Sequence, residues 1–192
     1  MTRADRVPAA ARYGPTARVL HWLVAALAAV VVALGWAAVA APHNSSERSG
    51  LLFVHRSVGL TILVLMTLRA VWRWRHPPPP LPATVGAVVT RLAPLTHFAL
   101  YLIFIAMPLA GYVNSAAAGH DVSVFGLFWI PPLVPRNERL AQWAIAVHLA
   151  GQYGIYLLVS LHVAGALYHG AVRRDGVFER MLPLPHRSPR PS

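Results

Sequence analysis

The sequence predicts an all-α integral membrane protein, a four-helix bundle with both termini in the cytoplasm. Three observations carry this reading. Four apolar stretches stand apart along the 192 residues, each long enough to cross a bilayer as a helix of roughly 20 residues. The mean hydropathy is +0.51, beyond what a water-soluble core requires. The 17 basic residues are all arginine, and they fall unevenly between the connections.

The length suits a single domain covering residues 1–192. The first span runs over about 19–41 and opens on His21-Trp22. "APHNSSERSG" (41–50) is a short polar turn, and the second span follows over about 51–72. "RHPPPPLPATVGAVVTRLAP" (75–94) is proline-rich and cannot continue a helix, so the third span is expected over about 96–115. "AAAGHDVSVFGLFWIPPLVPRNE" (116–138) carries Phe125, Phe128 and Trp129, side chains suited to the membrane interface. It is expected to lie against the membrane surface. The fourth span, about 140–172, exceeds the bilayer thickness, so it tilts or leaves the hydrocarbon.

Arginine placement orients the bundle. Arg3, Arg6, Arg12 and Arg18 precede the first span, and Arg69, Arg73, Arg75 and Arg91 flank the second connection. Arg173, Arg174, Arg180, Arg187 and Arg190 follow the fourth span. Only Arg48, Arg56, Arg136 and Arg139 fall on the other side. Such a bias puts both termini inside. Ala38-Val39-Ala40 resembles a signal-peptidase site, but the preceding apolar run exceeds the roughly 7–15 residues of a signal peptide's apolar h-region. The charge pattern also argues against nucleic acid, because the arginines sit between apolar runs rather than on one soluble face. There is no cysteine, which excludes disulfides, iron–sulfur clusters and thiolate chemistry.

The chemistry concentrates in "VHLAGQYGIYLLVSLHVAGALYHG" (147–170). It writes His-x-Ala-Gly twice, at His148 and His162. Fourteen residues are about four helical turns, which keeps the two imidazoles within roughly 40° on one face and about 21 Å apart along the axis. His21 starts the first span level with His162, and His55 lies inside the second span level with His148. Two layers of two imidazoles result. Opposed imidazoles in a bundle without cysteine or intramembrane carboxylates suit axial ligation of haem iron. Gly59, Gly151 and Gly165 follow ligand candidates at i+3 or i+4, where a missing side chain leaves room for a macrocycle. Close helix packing explains the same glycines.

Alternatives stand beside this. A lone intramembrane histidine is more often a hydrogen-bonded structural residue than a ligand, and four at matched depths weigh the other way. Zinc prefers four ligands in a closed site, and a proton relay favours intramembrane carboxylates. His169 shares a face with His162 and competes with it on spacing. Nearer the membrane edge, it reads as a polar group at a quinone site or as a plain interfacial histidine. His97 is a weaker candidate, and His43, His76, His120 and His186 lie in loops or tails. Arg18 and Arg56 neighbour the candidate ligands and suit contacts to haem propionates; topology-setting charge explains them equally.

Taken with "HWLV" (21–24), "VHRSVGLTILVLMTLRAVWR" (54–73), "LTHFALYLIFIAMPLAGY" (95–112) and "RMLP" (180–183), these residues resemble the bacterial cytochrome b561 family. That family is related to the cytochrome b subunits of nickel hydrogenases. The resemblance covers nearly the whole chain. It implies two b-type haems, with His21 and His162 on the cytoplasmic iron and His55 and His148 on the periplasmic one. It also implies a bacterial inner-membrane location and electron exchange with the quinone pool, ubiquinone above all. Some members are described as oxidising superoxide at the periplasmic face. The expected function is a membrane oxidoreductase relaying single electrons between a periplasmic donor and quinone. The alternative is an anchor subunit serving a separate dehydrogenase or hydrogenase. The terminal arms and the 116–138 loop offer modest docking surface, which favours the first. A haem-free structural or transport protein leaves the matched histidines unexplained.

Overall fold

The computed structural model describes residues 12–82 and 85–183. Arg3, Arg6, Arg187, Arg190 and His186 of the sequence reading lie outside the described residues. Four helices follow in order: α1 (Pro15–Ala40), α2 (Ser46–Arg75), α3 (Ala87–Ala117) and α4 (Glu138–Leu167). A hairpin of β1 (Val122–Val124) and β2 (Phe128–Ile130) joins α3 to α4. Beyond α4 come a π-helical turn at Tyr168–Arg173 and a 3-10 turn at Glu179–Met181. All four helices are long and apolar enough to cross a membrane. The all-α membrane bundle read from the sequence is the observed fold.

The described chain begins and finishes at one end of the bundle, here called the terminal end. The β-hairpin occupies the other, the β end. Each helix has a local reason to start where it does. Pro15 stands in the first turn of α1, where its missing N–H costs nothing. Ser45 and Asn137 cap α2 and α4 by accepting from the Arg48 and Leu140 amides. Arg48 reaches back to the Ala38 carbonyl at 2.9 Å and covers the end of α1.

The third helix departs from expectation. It begins at Ala87, inside the stretch read as unable to continue a helix, and runs through both Pro94 and Pro108. Proline deletes one backbone bond and costs about 3 kcal/mol in a soluble helix. In hydrocarbon, leaving the helix exposes several unpaired backbone groups, so the chain keeps the helix and forgoes one bond.

The helices pack in sequence, α1 on α2, α2 on α3 and α3 on α4. At the centre Val58, Ile62 and Met66 of α2 form an i, i+4, i+8 stripe against Val24 of α1 and Phe104 of α3. This cluster lies midway along α2. Outside it many large apolar side chains, among them Val64, Leu102, Leu157 and Leu161, face outward, as suits lipid. Trp36 Nε1 donates to the Tyr156 hydroxyl at 2.7 Å and links α1 to α4 across the bundle.

The 116–138 connection is more ordered than its composition suggests. Val122 pairs with Ile130 and Val124 with Phe128. The Leu127 amide closes the turn on the Val124 carbonyl at 2.9 Å, and Phe125 and Gly126 both take positive φ. That is a type I′ turn, which Gly126 accepts freely and Phe125 does not. Ser57, fully buried on α2, holds the strained residue by accepting from the Phe125 amide at 2.9 Å. The aromatic residues Phe125, Phe128 and Trp129 remain exposed, in keeping with an interfacial position. Ser57→Ala leaves the Phe125 amide without its acceptor and is expected to cost about 1–3 kcal/mol. Faster amide exchange confined to residues 122–130 is the measurement; unchanged protection there counts against the tether.

Candidate functional site

The structure brings the four predicted histidines together in two pairs. At the β end, the rings of His55 on α2 and His148 on α4 have centroids 6.0 Å apart at an interplanar angle of 73°. At the terminal end, His21 on α1 and His162 on α4 are 6.0 Å apart at 76°. Two imidazoles ligating one metal from opposite sides, each with its nitrogen about 2 Å from it and its ring centre about 1 Å behind, stand roughly 6 Å apart. Both pairs match that spacing. Among the described residues no three His, Cys, Asp or Glu side chains are grouped to hold a bare ion. A closed zinc site is therefore not the better fit.

The β-end pair is built by a device used twice. His55 Nδ1 lies 2.9 Å from the Val31 carbonyl of α1, and His148 Nδ1 lies 2.9 Å from the Met107 carbonyl of α3. Four residues after each carbonyl stands a glycine, Gly35 and Gly111. A Cβ on Gly35 would sit 3.3 Å from His55 Cε1, and one on Gly111 would sit 3.3 Å from both Cε1 and Nδ1 of His148. Each imidazole reaches its carbonyl over the bare backbone of a glycine. A carbonyl can only accept, so Nδ1 carries the proton in both rings and Nε2 keeps its lone pair for a metal. Metal-ligating histidines are held by this kind of second hydrogen bond. The tautomer, the separation and the shared depth all fit an axial pair. Arg56, Gly59 and Tyr112 line the same cavity, and the Arg56 Nε donates back to the Leu52 carbonyl of its own helix.

The terminal pair is set differently. Arg69 places its guanidinium nitrogen 3.0 Å from His21 Nδ1. Arginine has no acceptor, so here His21 Nδ1 accepts. His162 has no hydrogen-bond partner among the described residues, and the His97 ring lies 5.3 Å from it, edge-on. His97, the weaker candidate in the sequence, thus belongs to this layer. Arg69 and Arg73 both lie over the Tyr101 ring, at 5.2 and 5.9 Å. With a metal on its Nε2, His21 would carry the ring proton on Nδ1, and the Arg69 guanidinium would stay beside the site as a cation that donates to another acceptor.

The remaining candidates resolve as follows. His169 is buried, and its Nδ1 is 2.7 Å from Asp175 Oδ2. It sits on the π-helical turn and does not join the terminal pair. Burial pushes the Asp175 carboxyl up, but hydrogen bonds from His169 and the Val177 amide outweigh it and hold the group below its ordinary value. Arg18 donates to the Leu182 carbonyl at 3.0 Å, beside Arg12 at 2.8 Å on the same oxygen. Among the described residues the buried Nε atoms of both arginines have no acceptor. Trp22 adds a bond to the Met181 carbonyl at 2.8 Å, so the "RMLP" segment closes the terminal end beneath α1.

The three glycines of the sequence reading part company. Gly59 and Gly165 face open space, as room for a macrocycle requires. A Cβ on Gly151 would strike the Met107 thioether, so Gly151 serves the packing of α4 on α3. Sequence reasoning missed Gly35, Gly111, Arg69 and Asp175. Arg69 carried a signal: it follows His55 by fourteen residues, the interval that separates His148 from His162.

Comparison with known proteins agrees with this geometry. Residues 12–184 match the family model described as prokaryotic cytochrome b561. The chain is 33% identical over 173 residues to "Cytochrome b561 homolog 2" of Escherichia coli, covering 89% of this chain and 91% of that protein. It is also 33% identical over 168 residues to "Probable superoxide oxidase CybB" of Yersinia pestis, covering 85% and 92%. "Cytochrome b561 homolog 1" of E. coli is 28% identical over 176 residues, covering 90% and 97%. With paired imidazoles between apolar helices and a match over nearly its whole length, the chain belongs to the prokaryotic cytochrome b561 family, the membrane-embedded b-type cytochromes.

Proposed function

We propose that the chain is a di-haem oxidoreductase of the bacterial inner membrane that relays single electrons between a periplasmic donor and the quinone pool. The observation that carries this is the recurrence of a 6.0 Å imidazole pair at each end of one bundle. In this reading the terminal end faces the cytoplasm, as the arginine distribution favours. His55 and His148 hold the periplasmic haem, and His21 and His162 the cytoplasmic one. Held by two imidazoles at each site, haem would supply reversible one-electron transfer rather than oxygen binding.

The chain's own residues then do three things. Val31 and Met107, through their carbonyls, fix the ligating tautomer at the β end. Arg56, on the cavity beside His55, places positive charge where an anionic donor arrives, and Arg136 and Arg139 add to it from the far connection. Superoxide is the donor suggested by the Yersinia relative's name. Two superoxide ions losing one electron each yield two molecules of oxygen, and ubiquinone taking two electrons and two protons yields ubiquinol. His169, hydrogen-bonded to the Asp175 carboxylate, is a polar group suited to a cytoplasmic quinone site. Arg18, with its unsatisfied Nε, suits a propionate carboxylate; Arg56 is the corresponding candidate at the β end.

The test is stopped-flow mixing of the purified protein with superoxide, and separately with ubiquinone and ubiquinol, following the haem bands. Reduction by superoxide and reoxidation by ubiquinone are expected. A protein with haem that reacts with neither, and that co-purifies with a dehydrogenase or hydrogenase, belongs instead to the anchor-subunit class.

A further inference from the structure

The two imidazole pairs lie in opposite electrostatic surroundings, and this difference has a direction. We infer that Arg69 makes the terminal site the higher-potential of the two, so that electrons run downhill from the β end to the terminal end. The inference rests on the two-haem reading above.

At the β end both imidazoles donate Nδ1–H to backbone carbonyls. Such bonds make the ring a stronger electron donor, which favours the more positive, oxidised iron. Among the described residues the terminal pair has no carbonyl partner of this kind. In its place stands the half-buried Arg69, 3.0 Å from His21, with Arg73 beside it over Tyr101. Among the described residues neither arginine forms an ion pair with a carboxylate; Asp175 is engaged by His169 and Arg173. A fixed cation close to the iron favours the less positive, reduced state, and it acts strongly where water is sparse. Both terms have the same sign for the difference between the sites. Arg56, Arg136 and Arg139 compete at the β end. Arg136 and Arg139 are exposed, and the hydrogen bond of the half-buried Arg56 to Leu52 is exposed as well, so water and salt screen these charges.

Arg69 is therefore a positioning residue for charge, acting on the iron through its field. The interval of fourteen residues from His55 puts it there: one face of α2 carries a ligand to one layer and a cation to the other.

Anaerobic potentiometric titration of the haem bands in the purified holoprotein tests this. Wild type is expected to show two one-electron components. Arg69→Gln is expected to lower the upper component by at least tenfold in its reduction equilibrium, about 59 mV, and to leave the lower one in place. Arg69→Lys, which keeps the charge, is expected to stay within about threefold of wild type. In His148→Ala the surviving component should be the one that Arg69→Gln shifts. If Arg69→Gln fails to retain the terminal haem, the Arg69→Lys titration decides, since a tenfold fall there overturns the charge argument. A shift of the lower component, or none, in Arg69→Gln also overturns it. A single haem per chain in wild type would instead sink the two-haem reading.

Discussion

His148→Ala is expected to cut the haem content of the purified protein from two per chain to one, read as the haem-to-protein ratio with the reduced-minus-oxidised spectrum. The change removes a ring whose Nδ1 is pinned to Met107 and which is paired with His55. Among the described residues no other histidine ring contacts His55. For the terminal pair His21→Ala is the cleaner variant, because His97 lies 5.3 Å from His162 and offers a substitute imidazole there. The double variant His21→Ala/His148→Ala should be colourless. Retention of two haems by either single variant would falsify the ligand assignment.

The second large effect is expected at residues that touch no metal. Gly111→Val and Gly35→Val each place a branched side chain where even a Cβ stands 3.3 Å from an imidazole carbon. The γ-carbons must displace the ring, and the ring then loses its carbonyl. Loss of such a supporting bond lowers metal affinity about 10–100-fold, so each variant is expected to lose the β-end haem during purification while keeping the terminal one. Gly50→Val, where no atom lies within 4 Å of the added Cβ, serves as the control and should retain both. Gly111→Ala should be milder, because His148 needs to yield by only a few tenths of an ångström. Wild-type haem content and spectrum in both valine variants would show that the bare backbone is incidental.

The spans were legible because a membrane span is written in composition, and composition needs no partner to be read. The two layers were legible for a related reason. His148 and His162 share one helix, so helical geometry alone sets their face and separation, and His21 and His55 follow from depth. Gly35 and Gly111 were not legible. What they clear is fixed by how α2 and α4 rotate toward α1 and α3, and no single helix carries that information. The β-hairpin was hidden because Phe125-Gly126 is a poor turn signal, and its geometry is held by Ser57, sixty-eight residues earlier. Pro94 misled because the rule that proline ends helices is calibrated in water. Arg69 was visible but read as topology, although its spacing from His55 matched the ligand interval.

The pairing of helices carries one more consequence. α1 rests on α2, and α3 on α4, while each imidazole pair takes one ring from the first couple and the other from α4. A group bound by both rings of a pair can bind only the assembled bundle. By mass action such a ligand adds about 2.7 kcal/mol of stability at a hundred times its dissociation constant. Haem held in this way would be mortar between two half-bundles, and its supply would set how much of the chain stays assembled.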